Sequence, residues 1–182
     1  SKHNPFLILG ESGSGKTNVL KIILQQLRDR ELVYLFDSKG RGLYEYQNGV
    51  HYINAQQQAE EFINYITEEV KVRKTYIDEQ LRQGADISKV RDSISKIYVI
   101  IDEIDDFIDM LGVSNMSIAG TRLKNAMEYG VNFIVAVNVS KFNATDEFTK
   151  TLRGTRNGLL LSGQGFLNIF PVKVDKIPRQ PD

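Results

Sequence analysis

Gly10-Glu11-Ser12-Gly13-Ser14-Gly15-Lys16-Thr17 follows the apolar run Phe6-Leu7-Ile8-Leu9 and precedes Val19, Leu20, Ile23, Leu24 and Leu27, which recur at helical spacing. A short apolar run closed by glycine is the pattern of a strand covered on both faces in a parallel sheet. The spacing Gly10-x4-Gly15-Lys16-Thr17 puts glycines where a loop must wrap a phosphate with backbone N–H groups, several in conformations that a β-carbon obstructs. Lys16 then reaches the β and γ phosphates, the Thr17 hydroxyl binds Mg²⁺, and the amino end of the helix that Thr17 opens favours anions. The sequence thus predicts strand, phosphate loop and helix, with Gly10, Glu11, Ser12, Gly13, Ser14, Gly15, Lys16 and Thr17 holding ATP.

Outward from this loop, a second apolar run, Leu32 to Phe36, ends at the turn composition Asp37-Ser38-Lys39-Gly40. Between Ala55 and about Leu81, Phe62, Ile63, Ile66, Val70, Ile77 and Leu81 fit one helical face, as one helix or two. Gly84 to Lys96 is polar and reads as a surface connection. Ile97 to Ile101 is a third strand, Ile104 to Leu111 a short helix, and Ile118 to Tyr129 another that stops at Gly130. Val131 to Val137 and Leu159 to Leu161 are further strands. Strands alternating with helices imply an α/β domain with a mainly parallel central sheet flanked by helices, its ligand outside the carboxyl ends of the strands.

Tyr98-Val99-Ile100-Ile101-Asp102-Glu103 is an apolar strand that delivers two carboxylates at its end. Asp102 is expected to hold Mg²⁺, usually through water, and Glu103 to polarise the attacking water, because phosphoryl transfer needs positioning and charge neutralisation. Asn138 ends the next strand, where P-loop motors often place a polar side chain near the γ phosphate, the alternative being an asparagine that merely ends the strand. No guanine-reading Asn-Lys-x-Asp occurs, which favours ATP over GTP. Asp105, Asp106 and Asp109 read as acids stabilised by a helix dipole. Arg156 and Arg153 are candidates to complete a neighbouring subunit's site, against the default of solvated arginines. His3 and His51 lack metal-ligand spacing, and Lys71, Arg73 and Lys74 read as the wet face of the long helix.

The chain has 182 residues, 41% hydrophobic and 25% charged, which fits a single domain, residues 1–182, with a sizeable core. Lysine plus arginine and aspartate plus glutamate number 23 each, so no global basic excess draws the chain onto nucleic acid or anionic lipid. Cysteine is absent, which removes disulfides, thiolate metal sites and cysteine nucleophiles. No apolar run approaches the roughly 20 residues of a membrane-spanning helix, so the piece is expected to be soluble. Its opening on Ser1 and its proline-containing end suggest a module excised from a longer polypeptide.

The residues from His3 to Thr17 are similar to the phosphate-loop motif of the FtsK/SpoIIIE family of ring-forming motor ATPases. Phe36-Asp37-Ser38-Lys39 resembles that family's Asp-Pro-Lys, Glu68 to Arg73 its Glu-Met-x-x-Arg helix, and Ile101-Asp102-Glu103 with Asp106 its second carboxylate motif. Gly130 to Asn138 and Thr155-Arg156 match two further segments. Ser38 replaces the family's proline, Asn138 its usual glutamine, and Val139-Ser140-Lys141 its Arg-Pro-Ser. The run Leu160 to Val172 resembles the carboxyl-terminal ATPase modules of type VII secretion proteins, EssC and EccC. The resemblance implies a RecA-like P-loop core and a membrane-anchored parent at the cytoplasmic face of the bacterial cell membrane. It implies as partners sibling ATPase modules or a homo-oligomeric ring, and small helical export substrates of the WXG100 type. Strong nucleic-acid binding is not expected. A DNA-translocating ATPase and a docking module with little turnover are the alternatives, since some terminal modules of the family bind ATP but turn it over poorly.

Overall fold

The computed structural model describes residues 5–40 and 42–161. Short apolar runs form strands and longer amphipathic runs form helices, in the order β1 (Phe6–Gly10), α1 (Lys16–Leu27), β2 (Leu32–Phe36), β3 (His51–Ile53), α2 (Gln56–Arg82), α3 (Ile87–Ser93), β4 (Ile97–Ile101), α4 (Ile104–Leu111), α5 (Val113–Ala126), β5 (Val131–Asn138), α6 (Glu147–Gly154) and β6 (Gly158–Leu160). All pairings run parallel, and the sheet order is β3-β2-β4-β5-β1-β6. The expected α/β architecture, a parallel sheet flanked by helices, is therefore present.

Because successive strand residues face opposite sides, the sheet divides the core in two. Leu7, Leu9, Phe36, Val99, Ile101, Phe133 and Val135 pack under α2, α4, α5 and α6. Ile8, Val33, Leu35, Ile100, Ile134 and Ala136 pack under Leu20 and Leu24 of α1 and under Leu43 and Tyr46. On the larger side, Phe36 meets Phe107 edge-on at 4.9 Å between ring centroids, and Phe133 meets Phe148 at 4.9 Å. Truncating any of these fully buried rings to alanine costs about 3–5 kcal/mol.

Several sequence expectations change. The Ala55–Leu81 segment is one helix. The Gly84–Lys96 connection contains α3, whose N-cap Asp86 accepts hydrogen bonds from the amides of Ser88 and Lys89 and whose Val90 is buried. The helix expected from Ile118 begins earlier, at Val113, and tightens into a 3-10 turn, Met127–Tyr129. The short edge strand β3 and helix α6 carry no signal in the expected pattern. The last strand starts one residue earlier than expected and joins β1 at the other edge.

Arg73 is the clearest correction, because it is buried rather than on a wet face. Its Nε donates to Glu69 Oε1 at 2.8 Å, and its Nη1 donates to the carbonyls of Ser95 (2.9 Å) and Tyr129 (2.7 Å). The guanidinium thus ties α2 to the segments that enter β4 and β5. A β-carbon at Gly130 would stand 2.9 Å from that same Nη1, and Gly130 has φ +83°, so the position needs glycine on two counts. The side chains of Lys71 and Lys74 are exposed, as expected.

Candidate functional site

The parallel sheet brings the carboxyl ends of β1, β2, β4 and β5 to one edge, and a cleft of about 560 Å³ opens there. Ser12, Gly13, Gly15, Lys16 and Thr17 line it from the loop after β1, Asp102 and Glu103 from the end of β4, and Asn138 from the end of β5. Gly10, Glu11 and Ser14 complete the loop, in which the Ser14 amide donates to the Glu11 carbonyl at 3.2 Å and the Glu11 side chain is exposed. A β-carbon at Gly10 would stand 2.3 Å from Ser14 Oγ, so only glycine lets the loop fold back there. Gly13 and Gly15 have φ +80° and +95°, and Gly15 caps α1, which starts at Lys16.

Lys16 is 4% exposed. Its Nζ donates to the carbonyls of Gly10 (3.1 Å) and Glu11 (2.9 Å) and pairs with Glu103 Oε1 at 2.8 Å. Thr17 Oγ1 donates to Asp102 Oδ1 at 3.2 Å. Burial, followed by the charge of Asp37 and, more weakly, that of Glu103, pushes the Asp102 carboxyl up to about 6, against the Thr17 hydrogen bond and Lys16. Glu103 has φ +74° and ψ +109°, a conformation costing about 1–3 kcal/mol for a residue with a β-carbon. Among the described residues it alone carries a side chain at positive φ. Asn138 is 7% exposed, and its Oδ1 accepts from the Ser140 amide at 3.1 Å.

Further groups join the site beyond those expected to act. Asp37, 2% exposed at the end of β2, lines the cleft and accepts from the Leu43 amide (3.3 Å) and the Tyr52 hydroxyl (2.8 Å). Burial, with that hydrogen bond, pushes the Tyr52 phenol up. Lys39 and Lys141 are also on the wall. The acids read as helix-dipole partners, Asp105, Asp106 and Asp109, line the cleft too, and Asp106 pairs with Lys39. Burial first, then Glu103, pushes the Asp105 carboxyl up. The adjacency of β2 to β4 places Asp37 beside Asp102, which no local pattern in the sequence carries. Arg153 and Arg156 are exposed, and no arginine among the described residues lines the cleft. His51 stacks on Tyr34 at 4.7 Å. His3 and the segment from Ser162 onward in the Leu160–Val172 run lie outside the described residues.

The loop fits a polyphosphate. Its Ser14 Oγ is buried without a hydrogen-bond partner, and β-carbons at Gly13 and Gly15 would meet no atom within 4 Å, leaving room for the closely approaching oxygens of a phosphate. Among the described residues no group of three or more His, Cys, Asp or Glu is arranged to hold a metal. The Thr17–Asp102 pair fits the few protein oxygens that Mg²⁺ takes when phosphates complete its shell.

Residues 1–156 match the family described as AAA domain. The chain is 32% identical over 176 residues to the ESX secretion system protein YukB of Bacillus subtilis (strain 168), a match covering 94% of this chain and 12% of that protein. It therefore spans about an eighth of that relative's length. The solved cytoplasmic domain of EssC superposes with TM-score 0.76 at 23% identity, over 87% of this chain and 32% of that one. EssC ATPases 2 and 3 from Geobacillus thermodenitrificans superpose with TM-score 0.75 at 22% identity, over 96% and 33%. Among the described residues no helix is long and apolar enough to cross a membrane. The chain belongs to the AAA domain family, and its fold is similar to that of the ATPase domains of EssC.

Proposed function

We propose that this chain is the Mg²⁺-dependent ATP-binding and ATP-hydrolysing module of a type VII protein secretion motor. The observation that carries the reading is the convergence of Lys16, Thr17, Asp102, Glu103 and Asn138 on one cleft at the carboxyl ends of a parallel sheet. The loop amides and Lys16 bind and orient the phosphates, while Thr17 and Asp102 hold the metal, which neutralises the charge developing on them. Glu103 orients the attacking water, and Asn138, which lines the same cleft, reports on the terminal phosphate. Arg156, exposed and away from its own cleft, is the candidate to enter a neighbour's site, with Arg153 second.

The 32% identity to an ESX secretion system protein supports the motor assignment. It supports in turn sibling modules or a ring as partners, helical WXG100-type export substrates, and a place at the cytoplasmic face of the membrane through a parent chain. Titration calorimetry with Mg-ATP tests the core of the reading. The wild type binds, and Lys16→Ala binds much more weakly because the β/γ-phosphate contact is gone. Equal affinity in the two proteins would place the nucleotide elsewhere.

A further inference from the structure

Resting on the reading of this cleft as a nucleotide site, we propose that Lys39 reads the terminal phosphate. It exchanges its ion pair with Asp106 for that phosphate and so separates a nucleoside triphosphate from a diphosphate.

The segment after β2 is built against the metal end of the cleft. β2 and β4 are neighbours in register, Phe36 opposite Ile101, and the Asp102 amide donates to the Phe36 carbonyl at 3.0 Å. The chain leaving β2 therefore emerges beside Asp102. Asp37 then fixes the turn, accepting from the Leu43 amide and the Tyr52 hydroxyl through its side chain and from the Gly40 amide, at 3.1 Å, through its carbonyl. Gly42 packs on the start of α1, where an added β-carbon would stand 3.6 Å from Thr17 Cγ2. Lys39, inside this anchored turn, extends into the cleft and meets Asp106, three residues beyond Glu103 on the opposite wall. Its ammonium thus lies at the end marked by the metal-binding hydroxyl and by the water-orienting carboxylate's own helix, and triphosphate and diphosphate differ only at that end.

The partner that holds Lys39 is replaceable. The Lys39 side chain is 44% exposed and that of Asp106 17%, so water reaches the ammonium and screens the pair. A terminal phosphate carries more charge than Asp106 and offers three acceptor oxygens.

The test is calorimetry on the purified chain with Mg²⁺ and either AMP-PNP, a non-hydrolysable triphosphate, or ADP, for the wild type, Lys39→Met, Lys39→Arg and Asp106→Asn. Folding is checked by circular dichroism. Lys39→Met is expected to lose about tenfold in AMP-PNP affinity, the worth of a charge-assisted hydrogen bond, while ADP affinity stays within about twofold. Lys39→Arg restores the difference, and Asp106→Asn binds AMP-PNP at least as tightly as the wild type. Equal losses for both nucleotides, or none, would overturn the assignment, and weaker AMP-PNP binding by Asp106→Asn would overturn the exchange. A wild type that binds neither nucleotide refutes the nucleotide-site reading and this inference together. A wild type that binds both, with no selective effect at Lys39, refutes this inference alone.

Discussion

Replacing Asp102 by asparagine should stabilise the nucleotide-free protein at neutral pH while removing the carboxylate that the proposed metal needs. Asp102 is 9% exposed, and burial leads the causes that lift its carboxyl from 3.8 to about 6. For an acid with a raised folded-state pKa, the unfolded chain releases its proton near pH 4 and the folded chain near pH 6. The folded state holds the extra proton between those values, so stability falls as pH rises through that window. Two pH units at 1.36 kcal/mol each come to about 3 kcal/mol lost above pH 6. Asparagine cannot ionise, and its side-chain oxygen still accepts from Thr17 Oγ1. Asp102→Asn should therefore melt higher at pH 7.5 by up to about 6–12 °C, at about 2–4 °C per kcal/mol for a chain of this size. Most of the advantage should be gone at pH 4, where the folded carboxyl is protonated and the unfolded one is near its midpoint, and the rest should vanish below about pH 3. Urea unfolding followed by circular dichroism from pH 4 to 7.5 measures it. An Asp102→Asn difference that is the same at both ends of the range would refute the idea that burial of this charge carries a cost.

At Glu103, alanine and glycine both remove the Lys16 ion pair, but only glycine relieves φ +74°. Glu103→Gly should then be more stable than Glu103→Ala by about 1 kcal/mol in urea titrations, against the usual order of the two residues. Glu103→Gln should keep ATP binding and lose turnover in a phosphate-release assay. Arg73→Met removes the donor of three partly buried hydrogen bonds, to Glu69 and two carbonyls, and should cost about 1–3 kcal/mol in chemical denaturation without moving ATP affinity in well-folded protein. If Arg156 acts in a neighbour's site, turnover per subunit should rise with protein concentration, and Arg156→Ala should flatten that rise. Fast, concentration-independent turnover by a proven monomer counts against it.

The parts of this fold legible in sequence are those whose local pattern and chemistry coincide. The strand before Gly10, the loop and α1 announce themselves through apolar spacing and through glycines that the backbone needs at Gly10, Gly13 and Gly15. β4 was visible as an apolar run ending in Asp102 and Glu103. Helix α3 was not, because it buries only Val90 and its one signal is the cap Asp86. Helix α6 likewise hides behind polar residues, though Asp146 and Thr149 form a capping box: the Asp146 carboxylate accepts the Phe148 and Thr149 amides, and the Thr149 hydroxyl accepts the Asp146 amide. Strand β3 is three residues at an edge, too short for alternation to register. Arg73 was misread because its partners, Ser95 and Tyr129, lie 22 and 56 residues away. Asp105 and Asp106 stand at the start of α4, as expected, and what faces them across the cleft is decided by the register of β2 on β4 rather than by their own helix.

The same register explains how the cleft stands without its proposed ligand. Lys16 would be an isolated buried ammonium, a costly arrangement, were it not held by two loop carbonyls and by Glu103. Thr17 turns its hydroxyl to Asp102, and Lys39 turns to Asp106. The side chains of Lys16, Thr17 and Lys39, each proposed to meet phosphate or metal, are thus already engaged by neighbours. Nucleotide binding then becomes an exchange of partners, and its net affinity is the difference between the old contacts and the new. The exchange at Lys16 has a second consequence, because the carboxylate it releases is the one proposed to orient water. While Lys16 stays on Glu103, both groups are engaged with each other. If a phosphate draws Lys16 away, as the proposed function requires, the Glu103 carboxylate is left free to accept from a water, and binding and hydrolysis would then be coupled through one ion pair.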